Sequence, residues 1–533
     1  MSRTSTAREN ILLALSVFIF ASLSILLISP NEDAFISFRY VNNLLSGNGL
    51  VYNVGERVEG YSNFLWVVFL SVAGAMGFDI VISSVVLGIL AGTLTLLSAF
   101  KLSKLLLAGS NQWWIPMLAP FTLALFTPFV SWSGSGLETM LYALLITAGC
   151  YQYLHYIANS RPFSLSLASI IFALVAMTRP EGILFAVGMF FYEIMRHYFQ
   201  RNEGLRLQAR SILYAFLVFF VPFSVWFMWR AIYYQSLFPN TVYAKSGGSL
   251  FHFWRGLTYV IRFIRACWEG SGPLLFLGMF GILSRAKRQV YFLYIEFTLY
   301  IIFVIYVGGD YMVNARFGAP VLPIMTALAA SGVQALASYV QGVPKRLSRL
   351  FVAGTVITIV LVKLPEVRDA SRAAKIQINS MLETRRQIGE WLYQHCPSNT
   401  VTSIGTAGVV PYYSRLFNID FSGINDRHIA RLGQVDKRIG HQRADGAYVL
   451  ARRPDLILID PTLLDSDKVL LANLSGNHFY GITDLAYNAT SILENPGFAD
   501  YRPTYVKLGD DRWLQLFIRT DWEIPPDWVL WSP

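Results

Sequence analysis

Nine apolar runs of bilayer-spanning length dominate the sequence and restrict how it can fold. They lie at about 11–28, 113–131, 136–157, 163–178, 182–199, 211–232, 290–308, 317–338 and 350–364. A helix of about 20 apolar residues crosses the hydrocarbon core of a bilayer. Only 14% of the residues are charged, against roughly a quarter in soluble domains. The chain is therefore predicted to be a polytopic α-helical membrane protein.

The basic segments between these runs predict the orientation in the bilayer. Lys and Arg concentrate at 196–210, 284–289 and 344–349, and short basic loops stay in the cytoplasm. Alternating the spans then places 29–62 outside as the first exterior loop. Region 62–107 is apolar almost throughout, so its number of crossings stays open, although parity requires one net crossing. We expect about eleven crossings within a transmembrane domain over 1–364, with 11–28 as an uncleaved first helix.

The distribution of positive charge argues against a nucleic-acid-binding protein, and the cysteine spacing argues against a disulfide-rich or metal-binding protein. The net charge is +10, but the cations lie in the short loops that set topology, so we predict contact with lipid bilayer and not with nucleic acid. Three cysteines show no spacing of a disulfide framework or metal site, and no H-x-x-H or C-x-x-C occurs. No metal ligand and no certain cofactor is assigned, and a divalent cation stays open.

The composition changes at about residue 365, after which no spanning run occurs. "RRQIGEWLYQH" (385–395) is typical of an amphipathic helix, and "TVTSIG" (400–405) and "PDLILID" (454–460) of buried strands. The stretch "YVKLGDDRWLQLFIR" (505–519) predicts a hairpin. We expect 365–533 to form a soluble α/β domain on the exterior face.

Two adjacent carboxylates, Glu32 and Asp33, stand at the predicted membrane exit. Apolar residues at helical spacing follow them, from Phe35 to Leu45, so this part of the loop is predicted to lie along the interface as an amphipathic helix. Acidic residues that merely solvate the start of a loop are the simpler interpretation. A general base that activates an acceptor hydroxyl beside a lipid-borne sugar phosphate is the functional one.

Ionisable residues recur at the other exterior junctions. Each has a structural alternative: a helix cap for Glu138, a hairpin ion pair for Arg179 and Glu181, a solvated loop for Lys245, and a capped turn at 426–428. Asp310 and Arg316 stand at a membrane boundary, where an unpaired charge is expensive. The candidate binding residues are Arg39, Glu59, Tyr61, Glu138, Glu181, Asp310, Asp426, Arg427 and His428, and basic groups among these junctions would hold a phosphate.

The order of these motifs resembles the GT-C superfamily of membrane glycosyltransferases. The closer resemblance is to bacterial proteins related to the mycobacterial terminal β-(1→2)-arabinofuranosyltransferase. It rests on residues 32–66 and continues through "SGLET" (135–139), "TRPEG" (178–182), "GGDYM…RF..P.LP" (308–323), "GINDRHIAR" (423–431) and "RRPDLILID" (452–460). The family pattern begins with two Asp residues, and here the first is Glu32.

The resemblance implies an inverting transfer from a polyprenyl-phosphate-linked sugar donor to an envelope glycan or glycolipid acceptor. Asp33 is then the favoured catalytic base with Glu32 assisting. Among the basic residues of the exterior junctions, Arg179, Arg316 and Lys245 are the candidates for binding the donor phosphate. It also implies the inner (cytoplasmic) membrane of a bacterium, with the active site and the C-terminal domain on the periplasmic side. The sugar does not carry over, although a pentofuranose such as arabinofuranose fits.

Two other classes compete with an enzyme. A lipid-sugar flippase or transporter would show repeated halves and ionisable groups near the bilayer midplane, whereas here the charges gather toward one face. A membrane scaffold would not need a one-sided acidic cluster. Substitution of Asp33 separates the three, because an enzyme loses turnover while it still folds.

Overall fold

The structure is a computed structural model of the chain. It describes residues 3–108, 112–199, 205–245, 250–284, 286–310, 312, 314–339, 365, 367–435, 443–475 and 487–531. Residues 3–339 are called the membrane portion below, and residues 367–531 the C-terminal segment. The predicted run at 350–364 lies outside the described residues.

The membrane portion is helical. Its α-helices are α1 Arg3–Leu26, α2 Ala34–Leu45, α3 Phe64–Ala75, α4 Ile80–Leu106, α5 Leu118–Leu125, α6 Thr127–Ser133, α7 Thr139–Asn159, α8 Pro162–Thr178, α9 Ile183–Phe199, α10 Leu205–Tyr234, α11 Asn240–Lys245, α12 Leu250–Ser271, α13 Lys287–Val307 and α14 Leu322–Tyr339. Short 3-10 turns occur at Ile115–Met117, Pro180–Gly182 and Ala319–Val321, and a 12-residue 3-10 helix at Gly272–Leu283.

Five of the described helices are long and apolar enough to cross a membrane. They cover Thr6–Leu26, Ile80–Leu106, Arg210–Tyr234, Arg288–Val307 and Ala319–Ser338. A bent pair over Ile115–Leu125 and Thr127–Ser133 makes a sixth if it counts as one span. The chain is a multi-pass membrane protein, and the finer number of eleven crossings stays a prediction.

Two regions differ from the simple reading of the apolar runs. The run at 113–131 folds as two helices bent by 63°, because Phe126 is extended and Pro128 starts a new helix. Region 62–107 holds one long helix, α4, and the shorter α3. Among the described helices of this region, therefore, only α4 has the length to span.

The C-terminal segment contains a mixed sheet with helices around it. Its helices are α15 Glu383–His395, α16 Val409–Ser414, α17 Arg427–Leu432, α18 Gly446–Ala451, α19 Ser466–Ser475 and α20 Tyr487–Leu493, with a π-helix at Gln377–Leu382 and a 3-10 turn at Pro496–Asp500. Its strands are β1 Val401–Ile404, β2 Phe417–Asn418, β3 Gln434–Val435, β4 Arg443–Ala444, β5 Leu456–Leu458, β6 Leu463–Leu464, β7 Tyr501–Gly509 and β8 Arg512–Arg519.

The sheet order is β2-β1-β5-β8-β6, with β7 on β8 and a separate β3-β4 pair. Strand β1 runs parallel to β2 and β5, which are joined to it by helical crossovers. Strands β7 and β8 form an antiparallel hairpin closed at Gly509 and Arg512. The strands at 401–404 and 456–458, the hairpin and helix α15 all lie where the sequence pattern predicts them.

Helix α2 lies between the two parts of the chain. Phe35, Phe38 and Val41 are buried as the spacing predicts, but so is every other residue from 34 to 41. The C-terminal segment covers both faces: Arg39 donates to the carbonyls of Pro411 and Leu416, and the ring of Phe35 lies 5.5 Å from that of Tyr412. Each such buried aromatic side chain contributes about 1.5–3 kcal/mol. The apolar core around α2 is therefore shared with the C-terminal segment.

Candidate active site

Asp33 stands at the start of α2 on a backbone that is fixed on both sides. The Asn31 amide donates to the Ser135 carbonyl at 2.8 Å, which joins the first exterior loop to the "SGLET" motif. The Asn31 side chain accepts from the Asp33 amide at 3.0 Å. The Asp33 carboxylate caps no helix amide and forms no hydrogen bond or ion pair with a described residue. It is therefore held in place with its oxygens unengaged by the described chain.

The neighbouring Glu32 carboxylate is occupied. One oxygen lies 3.0 Å from the Arg385 guanidinium, and the other accepts from the Val409 amide at 2.9 Å. Gly408 permits this approach, because a Cβ there would lie 2.1 Å from the Glu32 carbonyl oxygen. Glu32 thus attaches the C-terminal segment to the first exterior loop, while Asp33 does not take part in that contact.

Glu138 joins three of the motifs that sequence analysis singled out. One of its oxygens accepts from Arg316 at 2.9 Å and lies 3.2 Å from Nε of Arg179, and the other accepts from Asn63 at 2.8 Å. The carboxylate is buried. A buried carboxylate is tolerated only when it is paired in this way. Glu138 therefore fixes the relative positions of the loop and both arginines.

The "TRPEG" motif presents Arg179 to this carboxylate. Pro180 excludes the helical conformation at the preceding residue, and Arg179 is extended with φ −151° and ψ 141°. Helix α8 consequently ends at Thr178, and the Arg179 side chain turns toward Glu138 and Glu181, whose oxygen lies 3.3 Å from Nε. The predicted Arg179–Glu181 contact is present, and it is part of a larger cluster.

The chain leaves α13 through two glycines with positive φ, 84° at Gly308 and 67° at Gly309. This path brings Asp310 and Arg316 to the cluster. One Asp310 oxygen accepts from the Met312 amide at 2.8 Å. Burial raises the pKa of the Asp310 carboxyl, and the positive charges of Arg316 and Arg179 oppose that rise. Asp310 is therefore more easily protonated than an exposed aspartate.

Lys245, at the end of α11, belongs to the same group of charges. Its ammonium interacts electrostatically with Asp33, Arg316, Asp310 and Arg179. Desolvation by the surrounding protein lowers the pKa of Lys245, and attraction to Asp33 partly offsets this effect. The interaction connects the unengaged carboxylate with the arginine cluster.

Several buried polar atoms of the cluster have no hydrogen-bond partner among the described residues. They are Nε and Nη1 of Arg179, Oε1 of Glu181, Nε of Arg316 and Oδ2 of Asp310. A buried polar atom without a partner costs about 1–3 kcal/mol, and such atoms mark places where a ligand or water binds. Two guanidinium groups with spare N–H donors suit a phosphate or another oxyanion.

Three other predicted residues hold the first exterior loop together. Arg39 donates to the carbonyls of Tyr52 and Leu416, at 2.7 Å each, and to that of Pro411. Burial raises the pKa of Glu59, and its ion pair with Arg230 opposes this. The Tyr61 hydroxyl bonds that of Tyr234 at 3.1 Å. The contacts of these three side chains are therefore internal.

Asp426, Arg427 and His428 lie in a different place, against residues 55–58 and the end of α10. Asp426 caps α17 by accepting from the Ile429 amide at 3.0 Å, as the capping alternative predicts. Arg427 donates to the carbonyls of Arg57 and Tyr234, at 2.9 and 2.6 Å. His428 contacts Asp445 at 2.9 Å. These residues line a cavity of about 690 Å³ between the loop and the C-terminal segment.

Sequence reasoning missed Asn63, Arg230 and Arg385, which engage Glu138, Glu59 and Glu32. Arg230 carried a signal, since an arginine near the end of an apolar run needs a buried partner. Arg385 carried none, because it lies on an amphipathic helix with many charges. Among the described residues, no group of three or more His, Cys, Asp or Glu is arranged to hold a metal ion.

Comparison with known proteins gives a sequence match to one characterised relative. The chain is 28% identical over 277 residues to the terminal beta-(1->2)-arabinofuranosyltransferase of Mycobacterium tuberculosis. That match covers 48% of this chain and 41% of the relative, less than half of either length. In addition, residues 372–529 match a family model described as a domain of unknown function (DUF8728).

Solved structures share the fold along nearly the whole chain. The archaeal oligosaccharyltransferase AglB from Archaeoglobus fulgidus, in complex with an inhibitory peptide and a dolichol-phosphate, has a TM-score of 0.56 at 14% identity, covering 99% of this chain and 76% of that one. ArnT from Cupriavidus metallidurans bound to undecaprenyl phosphate has a TM-score of 0.56 at 12% identity, covering 96% and 98%. At these identities the likeness establishes the fold alone.

The chain thus shares its fold with these solved membrane proteins, and the predicted resemblance to the GT-C membrane glycosyltransferases is confirmed as a resemblance. In sequence, the chain is similar to the mycobacterial arabinofuranosyltransferase.

Proposed function

We propose that the protein is an integral-membrane glycosyltransferase that uses a polyprenyl-phosphate-linked sugar as donor. It transfers the sugar, with inversion, to a hydroxyl of an envelope glycan or glycolipid. Two lines support this: both solved neighbours described above hold a polyprenyl-type phosphate, and the relative found by sequence is a glycosyltransferase. A pentofuranose such as arabinofuranose is the sugar we favour, because that relative transfers arabinofuranose.

The single observation that carries the proposal is the unengaged Asp33 carboxylate beside a cationic cluster. In the reaction, Asp33 takes the proton of the acceptor hydroxyl while that oxygen attacks the anomeric carbon. The bond from the anomeric carbon to the phosphate oxygen breaks, and the electron pair leaves with the polyprenyl phosphate. A base of this kind contributes about 10²–10⁴-fold to the rate.

In this scheme Arg179, Arg316 and Lys245 bind the donor phosphate and stabilise the charge that builds on it. The spare N–H donors of both arginines support the assignment. Glu138 and Glu181 orient the arginines, and Asp310 contacts the substrate with its unpaired oxygen. Glu32 keeps the C-terminal segment against the loop and so positions Asp33 indirectly.

We further propose that residues 365–533 form an exterior domain and that the protein lies in the bacterial inner membrane. The cluster and the C-terminal segment then share the periplasmic side. The basic loops between the apolar runs support this orientation.

The test follows release of free polyprenyl phosphate by the purified protein in nanodiscs. The assay uses a panel of polyprenyl-phosphate sugars and an envelope glycan extract as acceptor. Asp33→Asn should lower acceptor-dependent release at least 10²-fold without changing the melting temperature. The matched control is Asp500→Asn, the same chemical change at an exposed position, which should leave release unaltered.

Two results contradict the proposal. Release by Asp33→Asn at the wild-type rate would remove the base assignment. No release with any donor, together with movement of labelled polyprenyl-phosphate sugar between leaflets, would replace the transferase with a flippase.

A further inference from the structure

A polar cavity lies between the C-terminal segment and the first exterior loop. Its volume is about 690 Å³, and its walls come from residues 55–58, from 233–235 at and just after the end of α10, from 426–428, 431 and 432, and from Tyr448 and Arg452. We call it the loop cleft. The mechanism proposed above uses none of these residues, so the cleft requires its own explanation.

The charges of the loop cleft favour an anion. Arg57, Arg427, Arg431 and Arg452 line it, against the carboxylates of Glu56 and Asp426. Both carboxylates are engaged: Glu56 lies 3.0 Å from Arg452, and Asp426 caps α17 and accepts from the Tyr448 hydroxyl at 3.1 Å. The positive charges of Arg57, Arg427 and Arg431 are therefore not neutralised by carboxylates within the cleft.

Arg57 is the most available of these cations. Its side chain is exposed and donates no hydrogen bond to a described residue, and its guanidinium lies over the ring of Tyr233 at 4.7 Å. Stacking on an aromatic ring orients the planar group and leaves its edge free for a carboxylate or phosphate. Arg427 is held by two carbonyl acceptors on one of its nitrogens, which fixes the guanidinium at the cleft wall.

An aromatic platform completes the cleft. The imidazole of His428 stacks on the ring of Tyr448, with centroids 3.9 Å apart and planes inclined by 9°. The His428–Asp445 contact holds the imidazole in that orientation. Flat aromatic faces bury the apolar side of a ring-shaped ligand, while charged neighbours bind its substituents. Cations around an aromatic platform suit a sugar that carries a negative charge.

Helix α11 connects the loop cleft with the candidate active site. At its first residue, the Asn240 side chain donates to the carbonyls of Gly423, Ile424 and Asp426, at 2.9, 3.0 and 3.0 Å. At its last residue is Lys245, whose ammonium interacts with Asp33. A helix rises about 1.5 Å per residue, so these two ends lie about 8 Å apart along the axis. Helix α11 therefore joins the wall of the cleft to a residue of the proposed donor-phosphate site.

We infer that the loop cleft binds an anionic saccharide, the distal part of the acceptor, through its carboxylate or phosphate groups. The acceptor half of this inference rests on the proposed transferase function. The binding half does not, and it is tested without donor and without turnover.

The experiment measures binding to the full-length Asp33→Asn protein in nanodiscs by isothermal titration calorimetry. The probes are trigalacturonate, a phosphorylated maltotriose, neutral maltotriose and inorganic phosphate. One or both anionic trisaccharides should bind at least tenfold more tightly than maltotriose and than inorganic phosphate, and which of the two binds identifies the anion. Arg57→Gln should weaken that binding on the order of tenfold, the loss of one charge-assisted contact.

The matched control is Arg502→Gln, which removes an exposed arginine of β7 and should not alter binding. Arg57→Gln and Arg502→Gln should melt at the same temperature as the parent. Equal binding of maltotriose overturns the anionic assignment, and equal binding of inorganic phosphate overturns the saccharide. Unchanged affinity in Arg57→Gln overturns the location. Anionic trisaccharide binding with no turnover by the wild type would refute the transferase and keep the cleft.

Discussion

The carboxylate of Glu32 lies 3.0 Å from the guanidinium of Arg385, which follows it by 353 residues in the chain. Its neighbour Asp33 makes no such contact with a described residue. Two adjacent carboxylates at a membrane exit therefore have separate environments, one inside a contact with the C-terminal segment and one beside a cationic cluster.

Substitution of Glu32 should act on stability before it acts on chemistry. Glu32→Gln removes the ion pair with Arg385, whose partners are both largely shielded from solvent. We expect a loss of about 1–3 kcal/mol, measured as faster limited proteolysis of the C-terminal segment and a lower melting temperature. Arg385→Gln should have a similar effect, and the double variant should lose less than the sum. A Glu32→Gln protein that is stable but inactive would instead make Glu32 the base.

Glu138 should be the most sensitive position of the cluster. Glu138→Ala leaves Arg179 and Arg316 buried without their shared carboxylate, and breaking a buried pair costs about 3–5 kcal/mol. Thermal unfolding in detergent measures the loss. The control is Glu523→Gln, at an exposed position of the C-terminal segment. An unchanged melting temperature in Glu138→Ala would show that the three motifs are held together by other contacts.

The raised pKa of Asp310 gives stability a pH dependence. Burial favours the protonated carboxyl in the folded protein, so its pKa lies above the ordinary value of 3.8. Its contribution is present in full below 3.8 and is lost as the pH rises through the folded pKa. The melting temperature of the wild type, measured against Asp310→Asn, should therefore fall as the pH rises from 3.8, and then level. If the melting temperature of the wild type instead rose relative to that of Asp310→Asn with increasing pH, the pKa of Asp310 would be lowered and not raised.

Gly309 should tolerate no side chain. Its φ is 67°, and a Cβ there would lie 2.5 Å from Cγ of Tyr259. Gly77 is a matched control, since its φ is 86° with nothing within 4 Å of the added atom. Gly77→Ala should cost only the backbone strain, about 1–2 kcal/mol. Gly309→Ala should cost more and should also weaken polyprenyl phosphate binding, measured by titration, because Asp310 and Arg316 follow on the displaced loop.

Local patterns predicted the local structure well. The spacing of apolar residues after Asp33 predicted α2, and the stretch 505–519 predicted the β7–β8 hairpin. The bend at Phe126 was not predicted, because the hydropathy of an apolar run is the same whether or not the helix is broken within it. Their place at the exterior junctions singled out Glu138, Arg179 and Arg316, and the structure joins these three in one cluster.

Partnerships across the chain could not be predicted. The pairing of Glu59 with Arg230, and of Glu32 with Arg385, depends on how helices and the C-terminal segment pack, which no periodicity encodes. The burial of residues 34–41 of α2 on all sides has the same cause. The sequence predicted a helix with one apolar face, and the second face is covered by residues more than 350 positions away, such as Pro411 and Leu416, whose carbonyls accept from Arg39.

The shared carboxylate of Glu138 also bears on how such a protein can change over generations. Asn63, Arg179 and Arg316 come from three distant stretches of the gene, yet all three meet one side chain. A substitution at any one of these three positions removes a partner of Glu138 and so disturbs its contacts with the other two. Relatives with altered specificity would therefore be expected to differ in the loop cleft and on α11. Glu138, Asn63, Arg179 and Arg316 would stay unchanged or change together.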